Sequence, residues 1–247
     1  DHRVAVGKAQ QGEQLGLQVG REARVRLRGH LDRVQHAPGR DPDGVRIVAA
    51  AKTVEPEAIA RVRDAGVREV GENYVKELRA KRDQVDGIVW HYIGTLQSHT
   101  AHQVADLADV VETVTPGRAM ERLARRANTN GRTIPVLIEV DFTRERTGVA
   151  PQGVDDAADQ VAHTDGLGLI GLMTLPPLPV AAEDSRPLFR GLRELLEGVA
   201  ARHPEATELS MGMSLDYPVA VEEGATMVRV GTALFGARRP EDKTGRT

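Results

Sequence analysis

The chain has 247 residues, 33 basic and 36 acidic side chains, a net charge of −3 and no cysteine. Disulfide frameworks and thiolate metal sites are thereby excluded, and the balanced charge gives no electrostatic footprint for nucleic acid or an acidic membrane surface. Aromatic residues are only 3% of the chain against 40% apolar in all, so the core must rest on Val, Leu, Ile, Ala and Met.

The length suits a single α/β barrel. No apolar run approaches the roughly 20 residues of a membrane helix. The first residues, Asp1 to Gln11, contain no apolar stretch of the signal-peptide kind. By elimination a cytoplasmic location is expected.

An Arg-rich segment from about Gly20 to Gln35 places Val25, Leu27, Leu31 and Val34 on one helical face. A turn cluster, Pro38 to Gly44, ends it. A regular alternation then begins with the apolar run Val45–Ala51 and a helix from about Pro56 to Ala65. Arg68–Gly71 reads as the second strand, followed by a charged helix near Asn73–Gln84. Ile88–Gly94 is the third strand, with a helix after Ser98. Val110–Val114 is the fourth, and Pro116 opens a helix around Ala119–Ala127.

Ile134–Asp141 predicts a fifth strand, with a helix over Val154–His163. Leu167–Leu175 is the sixth, followed by a long helix from Asp184 to Arg202. Glu208–Met211 and Met227–Val230 are the last two strands, separated by a helix at Tyr217–Glu223. Leu234 and Phe235 belong to a final short helix. Eight short apolar strands alternating with helices imply parallel pairing with both faces covered. A single (β/α)8 barrel over residues 20–237 is expected, with a poorly matched extension at 1–19 and a polar tail at 238–247. An open doubly wound sheet is the alternative that the same pattern allows.

In such a barrel the working residues lie at the C-terminal ends of the strands. Lys52 follows the buried run of the first strand. An amine there is partly desolvated, which favours its neutral, nucleophilic form and imine chemistry with an aldehyde. A lysine that merely reaches the rim is the plain alternative. After the eighth strand, Arg229-Val230-Gly231-Thr232 leads into a short helix where backbone N–H groups and a hydroxyl suit a phosphate. Ser210 to Ser214 forms a second small-residue loop beside it. An imine-forming lysine with a phosphate cradle is what pyridoxal 5'-phosphate (PLP) requires.

Other polar residues read as structural. His91, inside the third strand, reads as packed and hydrogen-bonded. His99 and His102 have no third ligand arranged for a metal. The stretch Arg122 to Arg132 reads as a solvated helix face. Glu139 and Asp141 share one face of the fifth strand, either as rim carboxylates or paired with Arg144 or Arg146.

Several stretches together carry a family resemblance: Ala51-Lys52-Thr53, Gly71 to Glu77, Trp90 to Ser98, Gly171 to Thr174, Leu209 to Asp216, and Val228 to Gly236. Over roughly Gly20 to Arg238 the chain resembles the pyridoxal phosphate homeostasis proteins. These are barrels similar to the N-terminal domain of alanine racemase and are credited with buffering or delivering PLP. The resemblance implies that Lys52 carries PLP as a Schiff base and that Arg229 hydrogen-bonds the pyridine nitrogen. It further implies that Ser214, Gly231 and Thr232 hold the phosphate and that Asn73 lines the pocket near the lysine.

Departures occur at His99-Thr100, where the family reads Asn-Lys, and at Val54, where it often has another lysine. Arg146, before Thr147-Gly148, meets the family's basic residue in the fifth loop. A non-catalytic PLP-binding role is therefore expected, with PLP-dependent apo-enzymes as recipients and a monomer or weak dimer as the working form. An amino-acid racemase or decarboxylase is the alternative. Enzymes of that type add a β-rich C-terminal domain, and with 12 residues after Phe235 no such domain is expected here. Racemases also tend to place a histidine where Leu175 stands. A third reading is a cofactor-free Schiff-base aldolase using Lys52.

Overall fold

The structure is a computed structural model that describes residues 44–236. The Arg-rich helix expected near 20–35, the extension at 1–19 and the tail at 238–247 lie outside the described residues.

The strands β1 (Arg46–Ala50), β2 (Glu69–Glu72), β3 (Val89–Tyr92) and β4 (Val110–Val114) alternate with helices α1 (Pro56–Asp64), α2 (Val75–Arg82), α3 (Ala101–Leu107) and α4 (Arg118–Thr129). The second half repeats the plan with β5 (Ile134–Val140), α5 (Val154–Ala162), β6 (Leu167–Thr174), α6 (Arg186–Ala200), β7 (Glu208–Ser210), α7 (Tyr217–Glu222), β8 (Met227–Val230) and α8 (Thr232–Phe235). All eight strands are parallel and close into a barrel. β1 pairs with β8 through Arg46↔Met227, Val48↔Arg229 and Ala49↔Val230, which removes the open-sheet alternative.

Period-two alternation sorts the strand residues between the barrel interior and the helical layer. Ile47, Ala49, Val228 and Val230 pack toward the helices in the main apolar cluster. Val48, Val110, Leu137, Met173 and Met227 form a second, smaller cluster inside the barrel. The helices meet the outer layer with apolar residues at helical spacing, such as Met120, Leu123, Ala124 and Ala127 of α4. Phe189, Leu192, Leu196 and Val199 do the same on α6.

The element boundaries differ from expectation where local chemistry intervenes. The helix expected from Asp184 is a 3-10 turn (Ala182–Ser185) followed by α6, because Pro187 is accommodated in a first helical turn but not in a helix interior. The helix expected from Asn73 begins at Val75, since Tyr74 is extended. β1 stops at Ala50, so Lys52 stands in the turn beyond the strand rather than at its end. β2 runs on to Glu72, which is fully buried.

The larger difference lies inside the barrel. β3, β4 and β8 read Val-Trp-His-Tyr, Val-Val-Glu-Thr-Val and Met-Val-Arg-Val. Their buried His91, Glu112 and Arg229 form, with Ser210, a polar column inside the barrel that no sequence reading had assembled.

Candidate functional site

One cleft of about 1040 Å³ opens at the C-terminal mouth of the barrel, and Lys52, Asn73, Ser214, Arg229, Gly231 and Thr232 all line it. They come from the ends of β1, β2, β7 and β8, where a parallel barrel concentrates loop residues of distant sequence. The volume is at the upper end of the range of about 300–1,000 Å³ common for small-molecule sites.

Lys52 is half-buried, and the residues on either side of it are clamped. The Ala51 carbonyl accepts a hydrogen bond from Lys81 Nζ at 2.8 Å. The Thr53 N–H donates to Glu77 Oε2 at 2.7 Å. Lys81 Nζ also donates to Glu72 Oε1 at 2.6 Å and to Glu77 Oε2 at 3.0 Å, binding the clamp into one unit. Thr53 has φ +62°, a conformation that costs a β-branched residue energy and persists only where neighbours impose it. Burial pushes the Glu72 carboxyl up to about 7, against the opposing pull of Lys81.

Arg229 is buried at the cleft floor. Its Nη1 donates to Ser210 Oγ at 2.6 Å and its Nη2 to the Thr174 carbonyl at 2.7 Å. Burial works against its charge, and the carboxylates of Glu112, Asp216 and Glu139 oppose that effect.

The two small-residue loops meet where the Ala233 N–H donates to Ser214 Oγ at 3.3 Å. Gly212 has φ +88°, and a Cβ there would lie 2.5 Å from that of Ala220, so the Ser210–Ser214 loop can turn in this way only around glycine. At Gly231 a Cβ would meet the Ala50 carbonyl oxygen at 3.2 Å. Gly231→Val is therefore expected to press the β8 loop against the end of β1 and to weaken binding of a phosphorylated ligand about tenfold. A direct titration with PLP checks this, and unchanged affinity would count against the cradle assignment.

His91 is buried and hydrogen-bonded, as read from the sequence: its partner is Glu112, its other nitrogen lies in ion-pair contact with Glu69, and it belongs to the interior column. Asp141 does engage the loop of Arg144 and Arg146, through their backbone N–H groups and Thr143 rather than the guanidinium groups. Those bonds hold the Asp141 carboxyl low despite the opposing effect of burial. Arg61, Arg146, Ile93 and Phe235 also line the cleft. Arg146 had a sequence signal in its place before Thr147-Gly148, and Ile93 and Phe235 fell within stretches that carry the family resemblance, whereas Arg61 had none. Among the described residues, no group of three or more His, Asp or Glu is placed to hold a metal, and no helix is long and apolar enough to cross a membrane.

The alanine racemase N-terminal domain family matches residues 27–239. The pyridoxal phosphate homeostasis protein of Aquifex aeolicus is 36% identical over 222 residues, covering 87% of this chain and 97% of that protein. The chain belongs to this family. The Escherichia coli K12 member is likewise 36% identical, over 81% of this chain and 88% of its own length.

PipY of Synechococcus elongatus, solved with PLP bound, is a 33% identical structural relative with a TM-score of 0.75; the match covers 83% of this chain and 99% of PipY. Alanine racemase of Clostridium difficile shares the fold at 14% identity and a TM-score of 0.68, with 58% of its chain matched. Every residue that lines the cleft falls within residues 27–239, the range the family model matches.

Proposed function

We propose that this protein binds PLP through Lys52 and serves intracellular PLP homeostasis, buffering the cofactor or delivering it to PLP-dependent apo-enzymes. The observation that carries the reading is the convergence of one amine, one buried guanidinium and two hydroxyls on a single cleft. This donor set fits the group. Lys52 would supply the amine for an imine with the aldehyde, with loss of water. Ser214 and Thr232 offer hydroxyl donors to a phosphate beside the close-approach glycine, Gly231. Arg229 presents a positive donor suited to an unprotonated ring nitrogen, and Asn73 lines the wall near the lysine. The names of the relatives and the PLP-bound structure of PipY support the assignment.

PLP itself supplies an electrophilic carbon and an electron-accepting ring. A cationic Arg229 opposite the ring nitrogen would keep that nitrogen unprotonated and the ring a weak electron sink. Leu175 lines the cleft where a racemase tends to place a histidine, so no proton-transfer group stands there. Both points favour a binding protein over an enzyme. The same reading makes it a cytoplasmic monomer or weak dimer.

The test is reduction of the PLP-loaded protein with borohydride followed by peptide mapping. The pyridoxyl phosphate mass is expected on the peptide containing Lys52, and Lys52→Ala is expected to stay unlabelled. A protein that takes up no PLP would overturn the proposal. Racemisation of alanine that disappears in Lys52→Ala would replace the binding role with a catalytic one.

A further inference from the structure

The buried column beneath the cleft has an order that the binding role alone does not require. Arg229 Nη1 donates to Ser210 Oγ, whose single proton goes to Glu112 Oε2 at 2.6 Å. Glu112 is fully buried, and its other oxygen, Oε1, is bonded to His91 Nδ1 at 2.7 Å. On the far side, His91 Nε2 lies 3.4 Å from Glu69 Oε2, an ion-pair contact without hydrogen-bond geometry. Glu69 Oε1 accepts from Arg46 at 3.0 Å, and Arg46 also reaches Glu208 at 2.7 Å. Charges therefore alternate in sign from the cleft floor to the opposite end of the barrel.

The geometry divides the Glu112 charge unequally. It is 2.7 Å from the imidazole and 3.8 Å from the nearest guanidinium nitrogen, with Ser210 interposed. Burial works against a charged His91, but Glu112 and Glu69 outweigh it and push the imidazole up to about 9. A cationic His91 thus takes most of the Glu112 charge and leaves Arg229 under-neutralised. Glu139 of β5 and Asp216 beyond β7 are the other carboxylates near the guanidinium. Burial raises the Glu139 carboxyl, and Asp216 is engaged with Ser185 and the Met213 N–H.

We propose that His91, Glu112 and Ser210 are positioning residues, which fix the Arg229 guanidinium at the cleft floor and keep its charge available to the ring nitrogen of the ligand. The inference rests on the PLP-binding role proposed above. It concerns how the ring is held and not whether Lys52 is its anchor.

The experiment uses the whole chain loaded with PLP and two variants. Ser210→Ala removes the bridging hydroxyl and leaves every charge in place. His91→Gln removes the cation that competes for Glu112. Each variant is read by its PLP dissociation constant, by the visible absorption of the bound ligand across a pH series, and by borohydride labelling of Lys52.

Ser210→Ala is expected to weaken PLP binding about 10- to 100-fold, the range for a lost hydrogen bond to a charged group. His91→Gln is expected to let Glu112 neutralise Arg229, which makes ring-nitrogen protonation easier. Its absorption change should therefore move to higher pH than in the unaltered protein. Labelling of Lys52 should persist in both. If the unaltered protein labels Lys52 but both variants, melting normally, match its affinity and pH profile, the positioning role is overturned. Should His91→Gln fold poorly, Ser210→Ala decides alone: unaltered affinity overturns the inference. Absence of Lys52 labelling in the unaltered protein would instead refute the underlying binding role.

Discussion

Lys81→Met is expected to destabilise the protein by about 3–5 kcal/mol, the range for removing one partner of a buried ion pair. Lys81 lies on the buried stripe of α2 with Val75 and Leu78, so methionine fills its path with little change in volume. What the substitution removes is the ammonium shared by Glu72, Glu77 and the Ala51 carbonyl. Glu72 is fully buried and would lose its cation, while its Oε2 already has no hydrogen-bond partner.

The loss should depend on pH with a definite sign. A carboxyl raised above its unfolded value binds its proton more tightly in the folded state, so its contribution to stability declines as pH rises. For Glu72 that decline runs from the ordinary carboxylate range up through about 7. Without Lys81 it should extend further into the alkaline range. Denaturant unfolding is therefore expected to show the widest gap between variant and parent near pH 8 or above and a narrower one near about pH 5. A gap below about 1 kcal/mol at every pH would make the clamp dispensable to the fold. Because both flanks of Lys52 hang on this unit, PLP affinity should fall with it.

Gly94→Ala is expected to have an effect of similar size by a steric route. A Cβ at Gly94 would sit 2.0 Å from the Asn73 carbonyl oxygen and 2.7 Å from its carbon. Neither side can withdraw easily. The Gly94 carbonyl is held by Thr113 Oγ at 2.6 Å, and the neighbouring Ile93 N–H donates to the Glu72 carbonyl at 2.9 Å. Forcing the methyl in must displace Asn73 from the cleft wall, at about 3 kcal/mol, the upper part of the usual overpacking range. At this size that corresponds to roughly 6–12 °C in melting temperature. Thermal unfolding together with a PLP titration checks both parts, and a melting temperature within about 2 °C of the parent would show that the contact is easily relieved.

The strands and helices were legible in the sequence because each follows from short-range pattern. Apolar runs bounded by Gly, Pro and charged residues mark the strands, and spacings such as Met120-Leu123-Ala124-Ala127 mark the helices. Lys52 and the Gly231-Thr232 loop were legible for a similar reason, since a parallel barrel puts the residues after every strand on one rim. The split at Pro187 was also readable from proline chemistry, although the expected helix ran through it.

The polar interior was another matter. Arg229, His91 and Glu112 stand at alternate positions of their strands, and that alternation was the available signal. A lone polar residue in a short strand does not reveal which partners will meet it.

The sequence by itself determined the order of eight βα units and the chemical types at their C-terminal ends, because both depend on neighbours within a turn or two. Only the tertiary structure decided that the sheet closes, and with it that Arg46 lies across from Met227, that Glu112 meets Ser210 98 residues further on, and that Lys81 reaches back 30 residues to Ala51. Those contacts arise from strand register and barrel closure, which a local pattern permits but does not specify. Lys52 was thus visible as a candidate amine, whereas the clamp around it and the charged column under its neighbour Arg229 exist only once the barrel has closed.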